Sequence, residues 1–385
     1  MLRHFLVPLG VGALALAACQ PVTTPPPPPQ PVGQYCAPSI PSSPAQYQSA
    51  FDSLRRTYTE WASGDVSVPI TLPDGRVLWL FGDTWIGKVL ADGSITPTTQ
   101  LEHNSFVVQT GACFAPQTGG APLARTERIA DPAPNQWYWP ASGFVDGSTV
   151  RIFLWHLRAA PAPLHFTIIG MKVATLSLPS LAVASITALP FTALPGVFYG
   201  ATATLEGSTV YAYGRHERDG YVARAPVAQF TTASAWEFWG NAGSGGPDAW
   251  VPDPSRAIPM TFSGMAPIDP AFGSGSGPGS PLAVVRDGTR YLASAMLLDA
   301  FADEVSVFSA TTPAGPWTYH GSMHTTPSPG ISSYGALIRF GLPGVAGPTV
   351  IYSTNDFLFD TFEAPPSIPL YGPRFTAPDP GSIPP

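Results

Sequence analysis

Side chains able to do chemistry concentrate in one stretch, Gly64–Gln109, where Asp65, Asp83, His103 and Asn104 each stand at the end of a short apolar run. GDVSVPITLPDGRVLWLFGDTWIG reads as two strands joined at Asp74-Gly75, and LEHNSFVVQ reads as a third. Antiparallel neighbours reverse direction, so the start of the first strand, the end of the second and the start of the third share one sheet edge. That edge is expected to wall a funnel. Two carboxyls beside an imidazole and an amide suit acid–base work on a polar substrate, or recognition of its hydroxyls.

The elements that must hold these groups are β-strands. Helical periodicity is confined to Pro44–Thr59; elsewhere short apolar runs alternate with Gly, Pro, Asp and Ser clusters, the pattern of an all-β chain. A repeat sets the architecture. DGRVLWLFGD begins at Asp74, DGSTVRIFLWH at Asp146, EGSTVYAYGRHE at Glu206, DGTRYLASAM at Asp287 and the weaker GPTVIYSTND at Gly347. Each is a turn followed by a strong strand, and the copies recur at roughly 60- to 80-residue intervals, the size of one four-stranded blade with long connections. The expectation is a five-bladed β-propeller over residues 40–372. A β-sandwich would leave the repeat unexplained. Pro69 fits an edge strand lining the channel, and the unbroken apolar runs VLWLF and VRIFLW fit strands sandwiched between blades.

In this arrangement the turn residues Asp74, Asp146, Glu206 and Asp287 fall on the far side of the disc and drop out as chemistry. The opposite face collects Asp65, Asp83, His103 and Asn104, then Trp137, Trp139 and His156, then Tyr199, Arg215, His216, Glu217 and Asp219. Later blades add Ser280, Asp303, Glu304, Tyr334, Ser353, Asn355 and Asp356. An acid-rich, aromatic-lined rim suits a carbohydrate: rings stack on sugar C–H surfaces and carboxylates take up hydroxyls. Hydrolysis of a glycosidic bond needs two carboxyls flanking it, and Asp65, Asp83 and Glu217 are the candidates. His103, Asn104, Trp139, His156, Tyr199, Arg215, Glu304, Tyr334 and Asn355 are expected to bind substrate. A two-residue turn at Asp74-Gly75 would set Asp65 opposite Thr84 and turn Asp83 to the other blade face. A bulge near Gly82 would rotate Asp83 inward; without it Asp65 would pair across the channel with Glu217. No residue spacing points to a metal or cofactor.

Composition sets the bounds. The 385 residues are 44% hydrophobic and 11% charged with a net charge of -7, which argues for a sizeable core and against a nucleic-acid partner. Residues 1–18 have the form of a secretory signal, and Leu16-Ala17-Ala18-Cys19 resembles the bacterial lipobox. Cys19 would then be lipidated and anchor the protein in a bacterial envelope, at the outer membrane or cell surface. Residues 19–39, with TTPPPPPQP, read as a semi-rigid polyproline stalk, and 373–385 as a Pro-rich tail. Cys36 and Cys113 are then an even pair, expected to form a disulfide. A monomer is expected.

At Gly64-Asp65, at Asp74-Gly75-Arg76-Val77-Leu78-Trp79-Leu80-Phe81-Gly82-Asp83-Thr84 and at His103-Asn104-Ser105, the chain resembles a bacterial five-bladed propeller family. This is the family long known as domain of unknown function 4185, which contains the endo-D-arabinanases of glycoside hydrolase family 183. Trp236-Glu237-Phe238-Trp239, Val285–Tyr291 and Val350–Asn355 extend the likeness more weakly. The resemblance implies endo-hydrolysis of a furanose polysaccharide such as an arabinan, with Asp65 and Asp83 as its acids and His103 and Asn104 around the substrate. The alternative is a propeller lipoprotein that binds carbohydrate or protein without catalysis.

Overall fold

Alternation of apolar strands with Gly- and Pro-centred turns produces an all-β architecture with a single α-helix among the described residues. The computed structural model describes residues 33–96, 100–121, 124–161, 165–243, 247–266, 275–278, 282–297, 302–326, 332–355 and 371–384. The expected signal, Cys19 and the stalk as far as residue 32 lie outside the described residues, as do Ser280 and Asp356.

Five main sheets follow one another along the described chain. In the first, Val68–Thr71 forms the free edge beside Val77–Phe81, followed by Ser105–Thr110, Cys113–Gln117 and Tyr35–Cys36. Pro69 therefore sits where no neighbour asks for its missing N–H. The second sheet is Gln136–Asp146, Thr149–Ala159, Phe166–Ser177 and Ala182–Ala188; the third begins with Phe198–Glu206, Thr209–His216 and Asp219–Pro226. Ala283–Asp287, Arg290–Met296, Glu304–Ala310 and Trp317–Thr325 build the fourth, and Ser332–Arg339, Thr349–Asn355 and Gly372–Thr376 the fifth.

A hydrophobic cluster fills each junction between successive sheets. Leu80 and Phe106 meet Leu154 and Ala174 between the first and second; Phe153 meets Tyr199 and Phe238 between the second and third. Tyr213 packs with Phe308 and Trp317 between the third and fourth, and Val307 with Ile338 and Tyr352 between the fourth and fifth. Ile351 and Phe375 of the fifth sheet then return to Trp79 and Phe81 of the first. Apolar burial of this kind contributes roughly 25 cal/mol per Å², so each sheet is held by both its neighbours.

The helix Pro44–Thr57 braces that return. It starts at Ser43, whose hydroxyl accepts the Gln46 N–H, with Pro44 in the first turn, where its missing N–H costs nothing. Tyr47, Ala50, Phe51 and Leu54 repeat at helical spacing and are buried. Phe51 stacks on Phe375 at 5.2 Å and meets Trp79 edge-on at 5.2 Å. Two expected boundaries move. Tyr35–Cys36 pairs with Cys113 and Phe114, so the end of the stalk belongs to the first sheet, and Gly372–Thr376 is a strand of the fifth, so the fold runs past residue 372.

Cys36 and Cys113 face each other in that ladder and are joined by a disulfide closing a 77-residue span. Replacing both by alanine should lower the free energy of unfolding by about 2–4 kcal/mol, read from urea denaturation. An unchanged midpoint would mean that the ladder alone holds the N-terminal strand.

Candidate active site

The first hairpin decides the site. Leu72 N–H donates to the Arg76 carbonyl at 2.8 Å and Gly75 N–H to the Leu72 carbonyl at 3.0 Å, so the connection is the three residues Pro73-Asp74-Gly75. Pro73 suits the second position of such a turn, and Gly75 closes it at φ +83, the left-handed geometry a three-residue hairpin loop requires. The other three acidic-Gly turns, Asp146-Gly147-Ser148-Thr149 among them, are two-residue loops. One extra residue shifts the register by one. Val68 pairs with Leu80 and Gly64 with Thr84, which sets Asp65 opposite Asp83, not Thr84 as the two-residue turn implied.

Between those ladders the strands are irregular. Asp65 N–H donates to the Asp83 carbonyl at 3.1 Å, while the Asp65 carbonyl accepts the Gly82 N–H at 2.9 Å, so one residue faces two, as in a β-bulge. Val66 follows at φ +47, its N–H donating to Ser353 Oγ at 2.8 Å. Gly82 is required here: a Cβ on it would lie 2.6 Å from Asp65 Oδ1.

The two carboxyls take their partners from opposite neighbours. Asp65 Oδ2 accepts the Tyr334 hydroxyl of the fifth sheet at 2.8 Å. The Tyr371 hydroxyl donates to the Asp83 carbonyl at 2.6 Å and lies within hydrogen-bonding reach of the Asp65 carboxyl. Asp65 keeps only part of its surface accessible. Burial, then the charge of Asp83, push its pKa well above the ordinary carboxyl value, and the tyrosine hydroxyls only partly offset this.

Asp83 looks the other way. Its Oδ1 accepts the Trp139 indole N–H of the second sheet at 2.7 Å and contacts His103 Nδ1 at 3.0 Å. Both contacts use Oδ1; among the described residues Oδ2 takes no hydrogen bond, and the side chain keeps 25% of its surface. His103 stacks on Trp137 at 4.3 Å, and Trp137 and Phe166 each meet Trp139 edge-on. Burial would lower the His103 pKa, but the hydrogen bond and charge of Asp83 prevail and raise it.

A second group of acids lies behind His103. Burial and a hydrogen bond with Glu127 push Glu102 up to about 7, and burial with the charge of Glu127 takes Asp131 to about 6. Neither stood out in the sequence: Glu102 falls beside the His-Asn-Ser motif, and Glu127 and Asp131 come from a connection without a strand pattern. Tyr371 was missed as well, lying beyond the recognisable repeats.

Other candidates fall elsewhere. Asn104 is fully buried and braces the connection at Ile129 against the strand Gln136–Asp146: its amide donates to the Ile129 and Tyr138 carbonyls and accepts the Ile129 N–H. Its role is structural. Tyr199, 1% exposed, is core between the second and third sheets. Glu217 is an exposed turn residue at φ +50; Asp65 takes its partners from the fifth sheet and from residues 82–83, and none of those partners is Glu217. Arg215 ends its strand beside that turn, and Glu304 is exposed at the start of another. His156 Nε2 meets Gln136 Oε1 at 2.8 Å, its pKa lowered by burial and then by Lys172. Asn355 hydrogen-bonds Tyr334 from the next strand. No group of three or more His, Cys, Asp or Glu among the described residues is arranged to hold a metal ion.

Residues 48–377 match the family model described as "Domain of unknown function (DUF5005)"; the likeness to domain of unknown function 4185 is one of motifs. No curated protein matches the chain. A crystal structure from Bacteroides ovatus, provisionally described as a hydrolase, is similar with a TM-score of 0.65 at 18% identity, over 89% of this chain and 93% of that one. At that identity the likeness speaks for the fold alone. The GH43_1 enzyme from Xanthomonas citri, complexed with xylotriose, aligns with a TM-score of 0.46 at 12% identity over 84% of this chain and 88% of its own. An α-L-arabinanase mutant from Cellvibrio cellulosa aligns with 0.42 at 10% identity, over 82% and 91%. These last two are too loose to carry an argument here.

The raised Asp65 pKa gives a test on stability. The folded state holds this proton to higher pH than the unfolded chain, so the stability involved is fully present below the unfolded value of 3.8. It is lost as pH rises through the folded value. Asp65→Asn has no such loss, so the melting temperature of the variant relative to wild type should rise as pH climbs above about 4 and level off once the folded value is passed. A difference independent of pH would contradict the assignment.

Proposed function

We propose that this chain, which belongs to the DUF5005 family, is a glycoside hydrolase built as a five-bladed β-propeller, with Asp65 and Asp83 as its paired carboxyls. The observation that carries the reading is the Asp65–Asp83 juxtaposition: one carboxyl inclined to keep its proton, and opposite it an aspartate whose Oδ2 takes no hydrogen bond among the described residues. Asp65 would give its proton to the leaving oxygen, and Asp83 would act on the sugar carbon directly or through water. His103 and Trp139 hold Asp83 in place, the buried Trp137 backs His103, and Trp139 and Phe166 offer aromatic surface for sugar rings. The finer assignment, endo-action on a furanose polysaccharide such as an arabinan, draws on the motifs of the first blade.

A second reading, glycan binding without turnover, draws on the enclosure of Asp65 by Tyr334 and Tyr371. Release of reducing ends from a panel of furanose and pyranose polysaccharides separates the two. Asp65→Asn and Asp83→Asn should each lose about 10²- to 10⁴-fold in turnover. Full turnover in both variants would sink the hydrolase assignment; glycan binding by an inactive wild type, indifferent to both substitutions, would favour the second reading.

We also propose that Cys19 is lipidated and tethers the propeller to the envelope through the proline stalk, the support being the lipobox-like Leu16–Cys19 after an apolar run. Cys19→Ser should move the protein from the membrane fraction to the soluble one. A membrane-bound variant would contradict the anchor.

A further inference from the structure

A cleft of about 630 Å³ lies between the C-terminal end of the helix and the loop after Thr84–Ile86, with Arg55, Arg56, Lys88 and Asp92 in its lining. The chain carries 25 Asp and Glu against 18 Lys and Arg, so three cations around one cleft invert the sign of the whole molecule locally.

Compensation within the protein is partial. Asp52 pairs with Arg55. Asp92 is turned into its own loop, accepting the Ser94 N–H at 3.0 Å and the Ser94 hydroxyl at 2.6 Å. Arg374 and Arg56 both act on Arg55 as like charges. Arg56 and Lys88 are exposed, and among the described residues no ion pair engages either. Basic residues in a last helical turn complement the helix dipole, which accounts for Arg55 and Arg56. It does not account for Lys88, which approaches from the opposite wall.

The cleft is tied to the carboxyl pair through one residue. Arg55 Nη1 donates to the Tyr371 carbonyl at 3.3 Å, and the Tyr371 hydroxyl lies 2.6 Å from the Asp83 carbonyl. On the other wall, Thr84–Ile86 leads from Asp83 towards Lys88, about 16 Å at the rise of an extended strand. A short oligosaccharide spans that distance.

We propose that this cleft binds an anionic substituent, a carboxylate or phosphate, on the glycan that the carboxyl pair engages, making the protein selective for an acidic polysaccharide. The inference rests on the glycan reading above. Guanidinium forks pair with carboxylate and phosphate oxygens in two-point contacts, and the lysine adds a mobile point charge.

Calorimetric titration of the full chain carrying Asp65→Asn tests this without turnover. The probes are a uronate-bearing arabinofuranosyl oligosaccharide, its neutral counterpart and inorganic phosphate. The acidic oligosaccharide should bind about tenfold more tightly than the neutral one, and Arg56→Gln with Lys88→Gln should abolish that preference while leaving the neutral affinity unchanged. Competition by phosphate would assign the site to phosphoryl groups, and its absence to uronates. Equal affinity for both oligosaccharides, or a preference that survives the two substitutions, overturns the proposal. Phosphate binding lost in the variant, with neither oligosaccharide bound, would keep the anion cleft and reject the glycan reading; no binding of any probe rejects the cleft.

Discussion

Two aspartates stand opposite each other on one strand pair, their carboxyls turned to different neighbours yet close enough for the charge of one to act on the other, and much of the surrounding structure serves to hold them there. Placing both near each other in a partly desolvated setting is unfavourable unless one keeps its proton or each finds donors. Burial and then the charge of Asp83 incline Asp65 to the first, and it draws Tyr334 and Tyr371 from the far end of the chain. Asp83 does the second, with His103 from its own sheet and Trp139 from the next. The pair is complete only when the fifth sheet returns to the first, so the apolar contacts of Phe375 and Ile351 with Trp79 and Phe81 are as necessary to the site as the carboxyls.

Much of this could be read from residue order. The acidic-Gly turns locate four of the five main hairpins, Pro69 marks an edge strand, and the apolar spacing of Tyr47, Ala50, Phe51 and Leu54 marks the helix. The register of the first hairpin is not legible from Asp-Gly alone, which fits a two-residue turn; Pro73 before it is the signal for the three-residue loop that forms. That one position is the difference between Asp65 opposite Thr84 and Asp65 opposite Asp83. Tyr371 and the acids Glu102, Glu127 and Asp131 escaped because they act through contacts distant in sequence or lie in connections without periodicity. Asn104, Tyr199 and Glu217 were polar or aromatic residues at suggestive positions, but the structure uses them as a buried brace, core and a turn.

Charge is distributed with a consistent logic across the described site. Acids cluster about His103, cations about the cleft between the helix and the loop after Ile86, and Tyr371 lies between the two. The glycine at position 82 has the same character as the tyrosines: its value is the space it leaves for the Asp65 carboxyl. Partners from three sheets hold the two acids, and among the described residues Asp83 Oδ2 takes no hydrogen bond.

The central claim, that burial and then the charge of Asp83 raise the Asp65 pKa, is most directly tested by following the carboxyl carbon of Asp65 by NMR through a pH titration, in wild type and in Asp83→Asn. The account predicts a midpoint well above that of an ordinary aspartate in the wild type, moving down when Asp83 loses its charge. An ordinary midpoint in wild type, or a raised one that Asp83→Asn leaves in place, would contradict it.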